Sequence, residues 1–243
     1  MIFKKNSRKP SSQVRPRRSR MANQCHGFTL IEILVAIFIF SLAMSMLFTS
    51  FNSVFSSTAP LEEGAKIHSM AKNCFSIMTS DLMSFFTSLP PAWKKPEFGE
   101  DPDPYAIKGE LVTLGTETFA KLKFSSLGHI PFHETRQNGI SEIIYYVAET
   151  MDGNFGIKRF DQLYPHETFE ESERDPVICE QVRSFEIRYF DEEGEEFDHW
   201  DSETEEFGFA TPSEIFVKLA VGNETNTQVF ETSVKLSVCR KKL

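Results

Sequence analysis

The stretch Gly27-Phe28-Thr29-Leu30-Ile31-Glu32 opens an apolar run that continues to Phe48. The 21 residues of 28–48 contain no proline or glycine, and Glu32 is their only charged residue. A helix of this length measures about 31 Å, enough to cross the hydrocarbon core of a bilayer. An ionised side chain costs roughly 2.5–3.5 kcal/mol at the centre of such a helix and less near the interface. A positively charged partner for Glu32 is therefore expected.

The residues before this run are basic, whereas the rest of the chain is acidic. Residues 1–27 hold eight of the 26 Lys and Arg residues and no acid, so 18 basic and 35 acidic residues remain, a net charge of −17. Because basic flanks stay in the cytoplasm, the C-terminal part is expected to face the periplasm. Met21 is an alternative start to Met1, and a leader from Met21 has no Lys or Arg. The acidity argues against nucleic-acid binding.

The order of Gly27, Phe28, Thr29 and Glu32 ahead of an uninterrupted apolar span resembles the class III signal of type IV pilins and type II secretion pseudopilins. In that family a membrane peptidase cuts after the glycine and methylates the new N-terminal Phe, and the acid four residues on is needed for assembly. The resemblance implies cleavage between Gly27 and Phe28 by prepilin peptidase, N-methylation of Phe28, and Glu32 as the assembly acid.

Elementary electrostatics agrees with that implied role for Glu32. Cleavage creates an α-amine on Phe28, whose reference pKa of about 7.7–8.0 keeps it largely protonated at neutral pH. An amine and a carboxylate stabilise each other far more in a low dielectric than in water. Pairing of the amine with Glu32 of a neighbouring subunit, or of its own chain, would fix the axial register of a filament. An ordinary signal anchor with a stray acid is the alternative.

Apolar periodicity predicts one long helix over 28–86, with a kink or local break at Ala59-Pro60. From Leu61 an i, i+3/i+4 stripe should pack on a sheet, and Lys66, Lys72 and Asp81 fall off it. The stripe consists of Ile67, Ala71, Cys74 or Phe75, Met78, Leu82 and Phe85. Leu89-Pro90-Pro91 is expected to end the helix.

The remaining chain has the two-residue period of strands. The predicted strands are 111–114, 118–124, 142–148, 155–160, 183–190, 215–221 and 234–238, with a hairpin turn at 151–154. The expected fold is α+β and type IV pilin-like, with the N-terminal helix packed on antiparallel β-sheets. The expected divisions are a leader at 1–27, a transmembrane segment at 28–48, a periplasmic part of the helix at 49–91 and a β-rich domain at 92–243.

A second resemblance lies near the C-terminus. Residues 182–191 lead into Gly194, and Trp200, Pro212 and the strand 215–219 follow. This order resembles the C-terminal half of the J-type minor pseudopilin of type II secretion. The resemblance implies a place in the pseudopilus tip complex, which initiates pseudopilus assembly and supports export of folded proteins across the outer membrane.

The same resemblance implies the location and the partners. The chain would be a single-pass protein of the bacterial inner membrane with its C-terminal domain in the periplasm. Its partners would be the I, K and H types of minor pseudopilin, the major pseudopilin, prepilin peptidase and secreted proteins. Two alternatives stay open: a minor pilin of a type IV pilus or DNA-uptake filament, and a membrane-anchored periplasmic binding domain that never polymerises.

Nothing in the sequence points to catalysis. Gly-x-Ser-x-Gly, P-loop and Gly-x-Gly-x-x-Gly motifs are absent from the sequence, so neither an enzyme nor a cofactor is expected. The prediction is also that no metal is bound, although the acids of 191–206 offer oxygen ligands and leave calcium as an alternative. Their spacing matches no EF-hand. The calcium alternative uses Asp191, Glu193, Glu195 and Asp198.

Cysteine usage is sparse. Cys25 would leave with the leader, and Cys74, Cys179 and Cys239 would remain. One disulfide is compatible with an oxidising periplasm, with Cys179 and Cys239, both expected on strands, as the favoured pair. Buried free thiols are at least as good an interpretation.

Overall fold

A computed structural model describes residues 27–88, 103–129, 139–165, 168–223 and 225–242, with only the backbone described for 53–61. The chain divides into two compact units, Met1–Ser56 and Ser57–Leu243. One helix is followed by strands. The elements are α1 Leu30–Met83, β1 Phe85–Phe86, β2 Lys108–Leu114, β3 Glu117–Ser126, β4 Ser141–Glu149, β5 Phe155–Leu163, β6 Val177–Phe190, β7 Glu196–Phe197, β8 Trp200–Asp201, β9 Glu214–Gly222 and β10 Thr227–Lys235.

The described strands form one sheet, and its pairings are antiparallel. The order is β10-β9-β6-β5-β4-β3-β2-β8, while β1 pairs with β3 and β7 pairs with β6. An apolar helix followed by a large antiparallel sheet confirms the predicted α+β, pilin-like layout. The prediction of more than one sheet differs from the structure, in which the strands join edge to edge.

The C-terminal part of α1 buries the predicted stripe. Ile67, Ala71, Cys74, Met78 and Leu82 are each at most 1% exposed. They belong to one hydrophobic core with inward-facing side chains of β3, β4, β6 and β9. Since a helix has 3.6 residues per turn, this spacing keeps the five side chains on one face, and that face covers the sheet.

Both boundary predictions for the helix need correction. The chain stays helical through Ala59-Pro60, so the predicted local break is wrong. The helix also ends at Met83, earlier than expected, because the chain turns at Ser84 and enters β1. Leu127 donates its N–H to the Ser84 carbonyl at 2.9 Å, and the two residues of β1 pair with the end of β3.

Most predicted strands lie inside observed ones, and the hairpin at 151–154 is confirmed. Thr150 donates its N–H to the Asn154 carbonyl at 2.7 Å, and Gly153 has a φ of 72°, which glycine adopts without strain. The last predicted strand, 234–238, is wrong in position, because β10 runs over Thr227–Lys235. In the N-terminal half of β10 the apolar residues Val229 and Phe230 are adjacent, so the two-residue apolar period is missing there.

Candidate functional site

The start of α1 is held by a reciprocal set of hydrogen bonds between Thr29 and Glu32. The N–H and the hydroxyl of Thr29 each donate to the Glu32 carboxylate at 3.1 Å, and the N–H of Glu32 donates to the Thr29 hydroxyl at 3.3 Å. This is a capping box, in which the residue before a helix and the acid three positions later satisfy each other's unpaired N–H groups. Glu32 therefore already has a local task in its own helix.

The sequence contained this signal, since Thr-x-x-Glu ahead of an apolar run is a known start signature. The sequence interpretation assigned Glu32 to assembly alone and missed the cap. Gly27 and Phe28 directly precede the capped turn, and both are exposed, Phe28 at 84%. The expected cleavage point is thus in accessible backbone just outside the helix. Cleavage, methylation and an assembly role for Glu32 all remain predictions.

The first part of α1 presents apolar side chains outward on all sides. Leu30–Asn52 is long and apolar enough to cross a membrane, and none of it is buried in the protein. A core helix of a soluble protein would bury such residues, because exposing this much apolar surface to water is unfavourable. The arrangement fits a membrane anchor.

Two hydroxyl groups within this anchor are satisfied internally. Ser41 donates to the carbonyl of Ile37 at 2.8 Å, and Thr49 donates to that of Ser45 at 2.8 Å. Bonds to the carbonyl four residues back remove the need for water, which a hydrocarbon environment does not supply. These polar residues are therefore compatible with a membrane-spanning segment.

Residues 22–48 match the family model of the prokaryotic N-terminal methylation motif. The motif indicates a type IV pilin-like prepilin or pseudopilin. It covers the capped turn and most of the exposed apolar segment, and it implies processing by prepilin peptidase and pilin-type assembly. A search of curated proteins finds no match to the chain.

The sheet domain contains a buried cluster of charged side chains that the sequence interpretation missed. Asp81 of α1 and Arg159 of β5 are 2% and 1% exposed. Arg159 donates to Asp81 from Nε at 2.8 Å and from Nη2 at 3.2 Å, and to Asp161 from Nη1 at 2.6 Å. The Tyr145 hydroxyl also donates to Asp81. The prediction that Asp81 falls off the buried stripe is wrong.

This cluster joins the last turns of α1 to two central strands. Burial raises the pKa of Asp81, whereas the hydrogen bonds and charge of Arg159 and the bond from Tyr145 lower it. Burial and the neighbouring Asp81 raise the pKa of the Tyr145 hydroxyl, which therefore stays a donor. Each of the four side chains has a partner within the cluster, and Asp161 also contacts His129 Nδ1 at 2.7 Å. The arrangement of the cluster fits fastening of the helix rather than chemistry on a ligand.

The segment compared above with J-type pseudopilins contributes strands to two places in the sheet, because β9 pairs with β6 while β8 pairs with β2. After β6, Gly194 closes a turn with a φ of 82°, and its N–H donates to the Asp191 carbonyl at 3.2 Å. Trp200 is fully buried, stacks on Phe207 with ring centroids 4.4 Å apart, and donates its indole N–H to the Ala210 carbonyl at 3.0 Å. The turn and the tryptophan thus belong to one packed substructure.

The acids named for the calcium alternative have separate contacts in the structure. Asp191 accepts hydrogen bonds from Lys242 Nζ at 2.7 Å and from the N–H of Glu195 at 2.9 Å, and Glu193 also faces Lys242. Asp198 instead contacts His199. Among the described residues, no group of three or more His, Cys, Asp or Glu side chains is placed to hold a metal ion. Asp191 and Glu193 are thus paired with Lys242.

The favoured cysteine pair, Cys179 with Cys239, is not formed. Cys74, Cys179 and Cys239 are free thiols in the structure. Cys239 lies beyond β10, where the charges of Glu192 and Lys241 act on it, whereas Cys179 faces Cys74 in the core. The expectation placed both partners on strands, and Cys239 is not on one.

Proposed function

We propose that this protein is a minor pseudopilin of the J type in a type II secretion system. It would take part in the tip complex that initiates the pseudopilus and supports export of folded proteins across the outer membrane. Its apolar anchor would lie in the bacterial inner membrane and its sheet domain in the periplasm. It would act by binding other subunits and by no catalysis of its own.

The observation that carries the proposal is the capped start of α1 followed by a fully exposed apolar segment. A helix that can neither be buried in its own domain nor face water needs lipid, or matching helices of other subunits, around it. A subunit leaving the membrane for a filament exchanges one apolar environment for the other. The exposed Gly27-Phe28 link would offer the peptidase its substrate, and the new α-amine would supply a cation for Glu32.

The J-type assignment is supported by the turn and tryptophan that follow β6, as the resemblance implies for residues 182–219. The partners proposed are therefore the I, K and H minor pseudopilins and the major pseudopilin. A minor pilin of a type IV pilus or of a DNA-uptake filament shares the same N-terminal logic and is the second candidate. The methylation motif favours both over a tethered domain that never polymerises.

Processing is tested by mass spectrometry of the protein from its native membranes. A chain that begins with methylated Phe28 is expected, and Gly27→Arg should leave the leader attached, while the matched small substitution Gly27→Ala should still be cleaved. An intact leader in the unaltered protein would overturn the proposal, because neither amine nor filament subunit would then exist.

The tip assignment is tested by purifying the processed protein in mild detergent with its associated proteins. Recovery of minor pseudopilins of the I and K types is expected, and this association should depend on the sheet domain. Recovery of pilus subunits alone would replace the J-type assignment with the pilus candidate. Recovery of no filament subunit of either kind would favour the tethered domain.

A further inference from the structure

Two cysteines meet inside the domain, one from the helix and one from the sheet. Cys74 lies in the buried stripe of α1, Cys179 lies in β6, and both belong to the same hydrophobic core with at most 1% exposure. The thiol of Cys74 donates to Met78 Sδ at 3.8 Å and that of Cys179 to the Glu180 carbonyl at 3.7 Å, and the proximity of Cys179 raises the pKa of the Cys74 thiol. Cys74 and Cys179 are therefore neighbours across the interface between helix and sheet.

The backbone of β6 is irregular at the position that directs Cys179 inward. The pairing of β6 with β5 shifts register on both sides of the Ile157–Cys179 pair, and Gln181 has a φ of 54°. Regular alternation is replaced by a three-residue spacing, so that Cys179, Val182 and Phe185 are all buried. A bulge re-aims side chains in this way. The bulge in β6 directs the Cys179 side chain toward the helix.

Helix and strand are also in direct contact beside the two cysteines. Met70 lies one turn before Cys74 on α1, and its sulfur accepts a hydrogen bond from the N–H of Glu180 at 3.4 Å. Glu180 follows Cys179 in the strand. The approach of the two elements is thus fixed independently of the thiols.

We propose that Cys74 and Cys179 form a disulfide bond that fastens α1 to β6. The inference rests on the proposed function in one respect, since export would place the domain in an oxidising compartment where disulfides persist. The co-reactant is a disulfide-carrying thiol oxidoreductase. One cysteine thiolate attacks the donor disulfide, forms a mixed disulfide and releases one donor thiol. The second cysteine thiolate attacks the mixed disulfide and releases the other donor thiol, so two protein thiols are oxidised and one donor disulfide is reduced.

The bond should form while the domain folds. The nearby Cys179 and burial together raise the pKa of the Cys74 thiol well above its ordinary value. Because the thiolate is the reacting species, the folded domain with reduced cysteines reacts slowly with any donor. The same burial should protect the finished disulfide from reductants until the domain unfolds.

The decisive experiment refolds the full-length chain in detergent. The protein is unfolded in urea with reductant, refolded against a mixture of oxidised and reduced glutathione, trapped with N-ethylmaleimide and mapped by peptide mass spectrometry. A peptide pair crosslinked through Cys74 and Cys179 is expected, with Cys239 alkylated. The Cys239→Ala variant should keep this crosslink, and Cys74→Ala should lose it. Alkylation of both core cysteines, or a crosslink through Cys239, would overturn the proposal.

A thermal measurement and a native sample complete the test. Closing a loop of about 100 residues should raise the melting temperature of the oxidised protein by about 10 °C or more over the reduced protein. An equal melting temperature would count against a bond of this span. Mapping the protein from cell membranes gives an independent readout of location. A crosslink in the refolded protein together with reduced cysteines and an intact leader in the cell would uphold the pairing and count against the proposed export.

Discussion

Glu32→Gln is the substitution that separates the two tasks of the acid at the start of α1. Glutamine can still accept the two hydrogen bonds that Thr29 donates at 3.1 Å, since a capping box uses Glu or Gln at this position. It removes the negative charge. The helix start should therefore survive, while any pairing with the α-amine of Phe28 is lost. The complementary substitution Thr29→Ala keeps the charge and removes the hydroxyl from the cap.

The expected magnitudes differ enough to be told apart. An amine and a carboxylate 4 Å apart attract each other by about 4 kcal/mol at an effective dielectric of about 20. Losing that attraction weakens subunit association roughly a thousandfold. Loss of an N-cap hydroxyl destabilises the helix by about 1 kcal/mol, which would weaken subunit association roughly fivefold. Glu32→Gln should thus nearly abolish incorporation into filaments, and Thr29→Ala should reduce it only modestly.

The assay compares the amount of processed subunit recovered with the filament for each variant. Amounts are normalised to chains whose N-terminal mass shows cleavage, because Thr29 lies close to the peptidase site. Thr29→Ser, which keeps a hydroxyl, is the matched control and should behave as the unaltered protein. Normal incorporation of Glu32→Gln, or an equal defect in Thr29→Ala, would refute the charge-pairing argument and leave Glu32 with its capping role.

Three further substitutions test the electrostatics of the sheet domain. Arg159→Met should lower the free energy of unfolding by about 3–5 kcal/mol in urea titrations, because it leaves two carboxylates in the core without their guanidinium. Asp81→Asn should cost clearly less, since the 2.6 Å bond from Arg159 to Asp161 survives, and an equal or larger loss would contradict this reasoning. Lys242→Met should flatten the pH dependence of stability between about pH 4 and pH 2, measured as unfolding free energy against pH. Burial tends to raise the pKa of Asp191, but the hydrogen bonds from Lys242 and from the N–H of Glu195 lower it to about 2. A carboxyl group with a lowered pKa stabilises the folded state at pH values above about 3.9, and this stability is lost as the pH falls through about 2. An unchanged pH profile in Lys242→Met would show that the lysine is not the cause of the lowered pKa.

The sequence predicted the helix and the central strands well because their apolar periods are strong. The stripe from Ile67 to Leu82 and the alternation of β9 each identify one buried face. The end of the helix was not predictable in this way. Phe85 and Phe86 continue the apolar pattern of the helix, and only their pairing with Ser126 and Ser125 of β3 makes them a strand. That pairing joins positions about 40 residues apart and leaves no local signal.

The candidate site was predictable in part. The order of residues from Gly27 to Glu32 identified the motif, and the same residues also contained the capping signature that was missed. The buried cluster could not be predicted, because Asp81 and Arg159 are separated by 78 residues and each has the composition of a surface position. The facing of Cys74 and Cys179 depends on a bulge in β6, which breaks the alternation from which strand faces are assigned.

The packing of Trp200 makes its fluorescence an intrinsic probe of unfolding of the sheet domain. The chain has two tryptophans, and Trp93 lies outside the described residues. In a Trp93→Phe background all indole emission would come from a ring that is fully buried and stacked on Phe207. Transfer of this ring to water on unfolding should shift its emission to the red. Detergent, lipid and non-aromatic partner surfaces do not emit there, so stability can be followed without a label while the anchor remains in a micelle.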